Sequence, residues 1–121
     1  MHEIATAVQH DVIDLDGVVG RHVSLPPQVT TGREGVVIAT GDHFVNDAEV
    51  TAVIRPMGAA LVDMETYAYI WVAGQFGVPI RPRLPSRVSD QAEDGALADF
   101  REAIARCSIE LREVIRAEYG V

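Results

Sequence analysis

The sequence predicts an α/β fold: a partial three-layer α/β/α arrangement around a mostly parallel or mixed sheet. Three observations predict it. Residues 35–40, GVVIAT, form a short continuous apolar run, which suits a strand buried on both faces. Residues 58–63, GAALVD, form a second such run, with helix signals directly after it. Leu97, Phe100, Ile104, Cys107, Leu111 and Val114 recur at spacings of three and four, one apolar face of a long amphipathic helix. Strands alternating with helices bury their apolar faces as stacked layers.

The remaining elements fit between these. Residues 3–9, EIATAVQ, are rich in small and β-branched residues and predict the first strand, which ends at His10-Asp11. Residues 14–34 predict mostly loop, punctuated by Pro26, Pro27 and Gly32. Asn46 and Asp47 offer N-caps for a helix reaching about Pro56, with Val50, Val53 and Ile54 on one side. Met64, Ala68, Ile70, Trp71, Ala73 and Phe76 predict the next helix, which Gly77 stops. Val78-Pro79-Ile80 begins a third buried strand, complicated by Pro82 and Pro85.

Composition narrows the function classes. The chain has 121 residues, enough for one domain and one core. Its net charge of -8, with only 10 Lys and Arg, opposes binding to a phosphate backbone, so no nucleic-acid partner is expected. Arg81, Arg83 and Arg87 cluster among prolines and are expected in a solvated loop. Cys107 is the only cysteine, which excludes an intramolecular disulfide and fits a reducing, cytoplasmic compartment. No apolar run approaches a membrane span and the N-terminus does not read as a signal peptide, so no membrane partner is expected.

In sheets of this kind ligands sit at the carboxyl ends of the strands. The polar residues to weigh are therefore Asp42 to Asn46, Asp63 to Glu65, and Ser89-Asp90. Three segments there carry a family resemblance. Thr40-Gly41-Asp42-His43-Phe44-Val45 is similar to a strand-to-loop segment of nucleosidases. Leu61-Val62-Asp63-Met64-Glu65 resembles their V-E/D-M-E box. Arg87-Val88-Ser89-Asp90-Gln91-Ala92-Glu93 resembles their S-D-x-A-D/E loop. The strand ending in His10-Asp11 adds a fourth likeness, and the order of the segments is shared. Together they resemble the nucleoside phosphorylase/nucleosidase superfamily, most nearly 5′-methylthioadenosine/S-adenosylhomocysteine nucleosidases. Family chains are much longer, so the resemblance implies that residues 1–121 form a single domain corresponding to the C-terminal half. In the family the N-terminal half brings a glycine-rich segment and a carboxylate that activates water. Relative to the family pattern, the two residues Arg81-Pro82 lengthen the approach to Ser89-Asp90.

The resemblance implies chemistry at an N-glycosidic bond. Asp90 is the expected general acid, protonating the departing purine, and Ser89 would orient its carboxyl. Such a role needs a pKa well above the ~3.9 of free Asp, which an apolar closed pocket supplies. Glu65 is expected to accept both hydroxyls of the ribose, with Met64 packed on the sugar. Phe44 would stack on the base and Val45 would hydrogen-bond its edge through the main chain. Plainer roles compete: Ser89-Asp90 as a turn or cap, Asp63 as an N-cap, Glu65 in a first helical turn, and Phe44 as core. Asp42 and His43 are expected to be structural or solvent-exposed. His10-Asp11 raises a metal site, but no second His or Cys has suitable spacing, so no metal and no cofactor are expected.

The leading function is hydrolysis of a purine nucleoside to free base and sugar, making the chain a hydrolase acting on N-glycosyl compounds. A purine nucleoside phosphorylase and a non-catalytic purine-binding or remnant domain are the alternatives. The expected partners are a small-molecule purine nucleoside and either further copies of the chain in a homo-oligomer or a complementing N-terminal half.

Overall fold

The computed structural model describes residues 1–43, 45, 48–85 and 96–121, with backbone alone over 96–100. In chain order the elements are β1 (His2–Gln9), β2 (Gln28–Thr30), β3 (Val36–Thr40), α1 (Ala48–Ile54), β4 (Leu61–Asp63), α2 (Thr66–Gln75), β5 (Arg83–Leu84) and α3 (Ala96–Tyr119). A 3-10 turn, Arg55–Met57, extends α1. Strand order is β2-β1-β3-β4, and β5 also pairs with β1. β3 runs parallel to both β1 and β4, while β2 and β5 run antiparallel to β1. The result is an α/β fold with a mixed sheet.

β3 is buried because it is central. Ile38, Ala39 and Thr40 are successive buried residues, as an apolar run covered on both faces requires. β1 alternates less simply. Its buried residues are Ile4 and Ala7, three apart, where regular pleating would put them two or four apart. A bulge explains the parity change: Ile4 pairs with Val36, and Thr6 already pairs with Val37. Gly35 makes the bulge possible, since a Cβ there would stand 2.3 Å from the Glu3 carbonyl oxygen. Ile4 and Ile38 are fully buried. Each is worth about 1.5–3 kcal/mol of transfer free energy.

Helix α2 packs on β1, β2 and β3 and closes the core with Tyr67 and Ile70. The Tyr67 hydroxyl donates to the Pro26 carbonyl, tying the helix to the segment before β2. Gly77, at φ +63, follows the last turn of α2 as expected.

Several expectations need correction. Residues 14–34 are mostly loop, as expected, but hold one short strand. Val29 is buried in β2, a three-residue strand too short to announce itself between Pro27 and Gly32. The run 58–63 yields a strand only over Leu61–Asp63, because Gly58 adopts φ +75 to cap the 3-10 turn. Among the described residues β4 ends the strand order, and the exposure of Val62 shows that it is not buried on both faces. Residues 78–80 form no strand. Pro79 and Pro82 lack the N–H a ladder needs, and pairing starts only at Arg83.

Arg81 and Arg83 are not in a loose loop either. Arg81 donates to Glu3 at 2.6 Å and Arg83 to Glu118 at 2.7 Å, linking β1, β5 and α3. These partners hold the Glu3 and Glu118 carboxyls below the usual carboxylate value. Arg87 lies outside the described residues.

The last helix forms as expected, but its apolar stripe is not buried. Ala103 is buried and Cys107 and Val114 are half-buried, whereas Ile104 is 51% and Leu111 49% exposed. Leu97 and Phe100 fall where only the backbone is described. No helix among the described residues is long and apolar enough to cross a membrane.

Candidate functional site

The parallel strands β1, β3 and β4 deliver three segments to one end of the sheet. Gln9 is level with Thr40, and Thr40 with Asp63. His10-Asp11, Gly41 to His43, and Met64-Glu65 therefore leave the sheet side by side. This is the carboxyl end at which an open α/β sheet places its ligands.

A hydrogen-bond network fixes the β4-to-α2 connection. Asp63 accepts from the Thr40 hydroxyl at 2.7 Å through Oδ1. Its Oδ2 accepts from the Thr66 backbone N–H at 2.9 Å and from the Thr66 hydroxyl. The Tyr67 N–H donates back to Thr40 Oγ1 at 3.1 Å. Both oxygens of Asp63 thus serve the N-terminus of α2, the structural role weighed for it from sequence. Met64 and Glu65 stand between strand and helix, both exposed, so the Glu65 carboxylate is open to a ligand.

A second network fixes the segment after β3. Asp11 Oδ2 accepts from the backbone N–H of Asp42 at 2.6 Å and of His43 at 3.0 Å. It also meets the His43 ring at Nδ1, 2.8 Å away. Burial pushes the Asp11 carboxyl upward, but these hydrogen bonds outweigh it and its pKa lies below the usual carboxylate value. His10 is 3% exposed, and its Nε2 has no hydrogen-bond partner among the described residues. Burial, the largest influence, holds its pKa below the ordinary value.

Glycine is required at position 41. A Cβ there would stand 2.3 Å from His10 Nε2 and 2.8 Å from the Asp11 carboxyl carbon. Backbone bonds flank the same point: His10 N–H donates to Thr40 O, and Gly41 N–H donates to Asp63 O, each at 3.1 Å.

Of the residues expected at the site, Met64 and Glu65 follow β4 directly at this end of the sheet, and Val45, half-buried, lies in the chain beyond β3. Phe44, Ser89 and Asp90 lie outside the described residues. From sequence, Asp11 enters only through the His10-Asp11 strand-end likeness and a rejected metal site, and His43 as a structural or solvent-exposed residue. The signal available was a carboxylate directly after one strand and a histidine two residues after the glycine ending its neighbour. Among the described residues no group of three or more His, Cys, Asp or Glu is arranged to hold a metal.

Comparison with known proteins bears on this arrangement. The sequence model of the phosphorylase superfamily matches residues 7–117, almost the whole chain. The chain belongs to the phosphorylase superfamily. A curated relative, the 5′-methylthioadenosine/S-adenosylhomocysteine nucleosidase of Exiguobacterium sp., is 34% identical over 83 residues. That alignment covers 67% of this chain and 35% of the relative. The crystal structure of the nucleosidase of the same name from Neisseria meningitidis, in complex with methylthio-immucillin-A, is similar in fold. It aligns with a TM-score of 0.68 at 24% identity, over 95% of this chain and 60% of that one. The chain thus spans between about a third and three-fifths of the length of these superfamily relatives.

Proposed function

We propose that this chain supplies the purine- and ribose-binding part of a nucleosidase that hydrolyses the N-glycosidic bond of an adenine-type nucleoside. The observation that carries this reading is the register Thr40↔Asp63 between parallel strands. It sets side by side the strand ends from which the chain runs on toward Val45 and toward Glu65, which supports a shared site. A base held by the first would have its sugar within reach of the second. The names of the superfamily relatives support the same reaction class.

In this reading Glu65 accepts hydrogen bonds from the ribose hydroxyls, Met64 packs on the sugar, and Val45 and Phe44 hold the base. Asp90, oriented by Ser89, protonates the leaving purine, and water attacks the anomeric carbon. Positioned acid catalysis contributes about 10²–10⁴-fold. No cofactor enters the reaction. Residues 1–121 act as a single domain, the C-terminal half of the fold, in a cytoplasmic homo-oligomer. The group that activates water comes from polypeptide outside these residues. The share of the relatives' length left uncovered supports that last point.

The test is release of free adenine from 5′-methylthioadenosine, with phosphate omitted, by the chain extended with an N-terminal half from a superfamily relative. Adenine release without phosphate supports hydrolysis. Strict dependence on phosphate assigns the chain to the phosphorylases, and adenine binding without turnover reduces it to a purine-binding domain.

A further inference from the structure

We propose that Asp11 is a positioning residue for base recognition, acting through the backbone of the segment after β3. The proposal rests on the site reading above and extends it to a residue on a different strand end.

The geometry supplies the argument. One oxygen, Asp11 Oδ2, gathers the N–H of Asp42, the N–H of His43 and the His43 ring nitrogen, all within 3.0 Å. An isolated surface carboxylate gains little from such contacts, but Asp11 is largely shielded, with its side chain 17% exposed. Its partner His43 is 81% exposed and contributes no core packing. The cluster therefore spends a shielded charge on holding two successive backbone amides of an otherwise exposed turn. Those amides lie three and two residues before Val45, whose main chain is the part the site reading offers to the base edge.

The turn is also fixed from beneath. Gly41 rests against the His10 ring and the Asp11 carboxyl carbon with no room for a Cβ. On its other flank the Gly41 N–H donates to Asp63 O, two residues before Glu65. Asp11 thus sets the base-binding segment in one frame with the carboxylate assigned to the ribose. Main-chain recognition of a base edge depends on where the backbone stands, so loosening the turn should weaken purine affinity more than it weakens the fold.

The experiment compares wild-type chain with Asp11→Ala and Asp11→Asn. Amide hydrogen exchange by NMR reads the turn, and calorimetry with adenine reads the site. In Asp11→Ala we expect the amides of Asp42, His43 and Val45 to exchange at least tenfold faster, while Ile38 and Ala39 keep their protection. Adenine affinity should fall about tenfold. Asp11→Asn keeps an acceptor oxygen and should recover part of both effects. Unchanged adenine affinity in Asp11→Ala overturns the proposal, whether or not the turn loosens. So does a uniform loss of protection that includes Ile38, which would make Asp11 a fold residue. If the wild-type chain itself binds no purine, the site reading fails and the positioning role with it. The wild-type titration alone tells that outcome from the others.

Discussion

Gly41 and His10 touch so closely that the imidazole Nε2 occupies space a side chain at position 41 would need, 2.3 Å from an ideal Cβ. The ring cannot swing away cheaply, because it is buried beneath the turn. Gly41→Ala should therefore displace either His10 or the segment after β3. Overpacking of this kind costs about 1–3 kcal/mol. Urea unfolding followed by circular dichroism should show a lower midpoint with an unchanged slope.

Stability should also depend on pH through His10. Burial lowers its folded pKa and the His43 charge acts in the same sense, while Asp11 and Asp63 oppose them. A depressed folded pKa means that the unfolded chain binds the proton more readily. The neutral ring's contribution is then complete above the unfolded value of 6.5 and is lost as pH falls from there toward the folded value. Urea midpoints measured from pH 8 to pH 5 should decline through this window. His10→Gln should flatten that decline.

Asp63 and Glu65 are two residues apart yet should fail differently. Asp63→Ala removes the acceptor for Thr40 and Thr66 at the start of α2. Hydrogen bonds to a charged group are worth about 1.5–3 kcal/mol, so the loss should appear in thermal or urea unfolding. Glu65 is exposed, and Glu65→Gln should change stability by less than about 0.5 kcal/mol. In the extended enzyme it should lower kcat/KM by about 10–100-fold, the kinetic equivalent of one lost charged hydrogen bond.

Helix α3 presents Ile104, Ile109, Leu111 and Ile115 to solvent, and the 13–23 segment exposes Ile13, Leu15 and Val23. Exposed apolar surface of this extent favours association, as does the open edge at β4. The 121-residue chain should self-associate in light scattering, and the double change Ile104→Glu with Leu111→Glu should reduce the apparent mass. A monodisperse monomer at micromolar concentration would count against this.

What the sequence made legible follows its strongest patterns. The central strand was readable because Val36 to Ala39 is apolar throughout, and α3 because its period is long and regular. The α/β class followed from apolar runs alternating with helix signals, and the family from segments at strand ends. Short, proline-flanked elements were not readable: Val29 in β2 and Arg83 in β5 take part in pairings decided by β1, far away in sequence. The exposure of Leu111 was equally hidden, since periodicity marks an apolar face without saying whether anything covers it. At the site, Glu65 could be singled out by its motif. Asp11 could not, because its partners Asp42 and His43 meet it only when β1 and β3 align.

The central claim is that a purine nucleoside sits at the carboxyl ends of β3 and β4. Titration of isotope-labelled chain with adenine and with 5′-methylthioadenosine, read as backbone amide shifts, tests it most directly. Both ligands should move Val45 and its neighbours, and only the nucleoside should move Met64 and Glu65. Shifts confined to α3 or to residues 13–23, or no shifts at millimolar ligand, would contradict it.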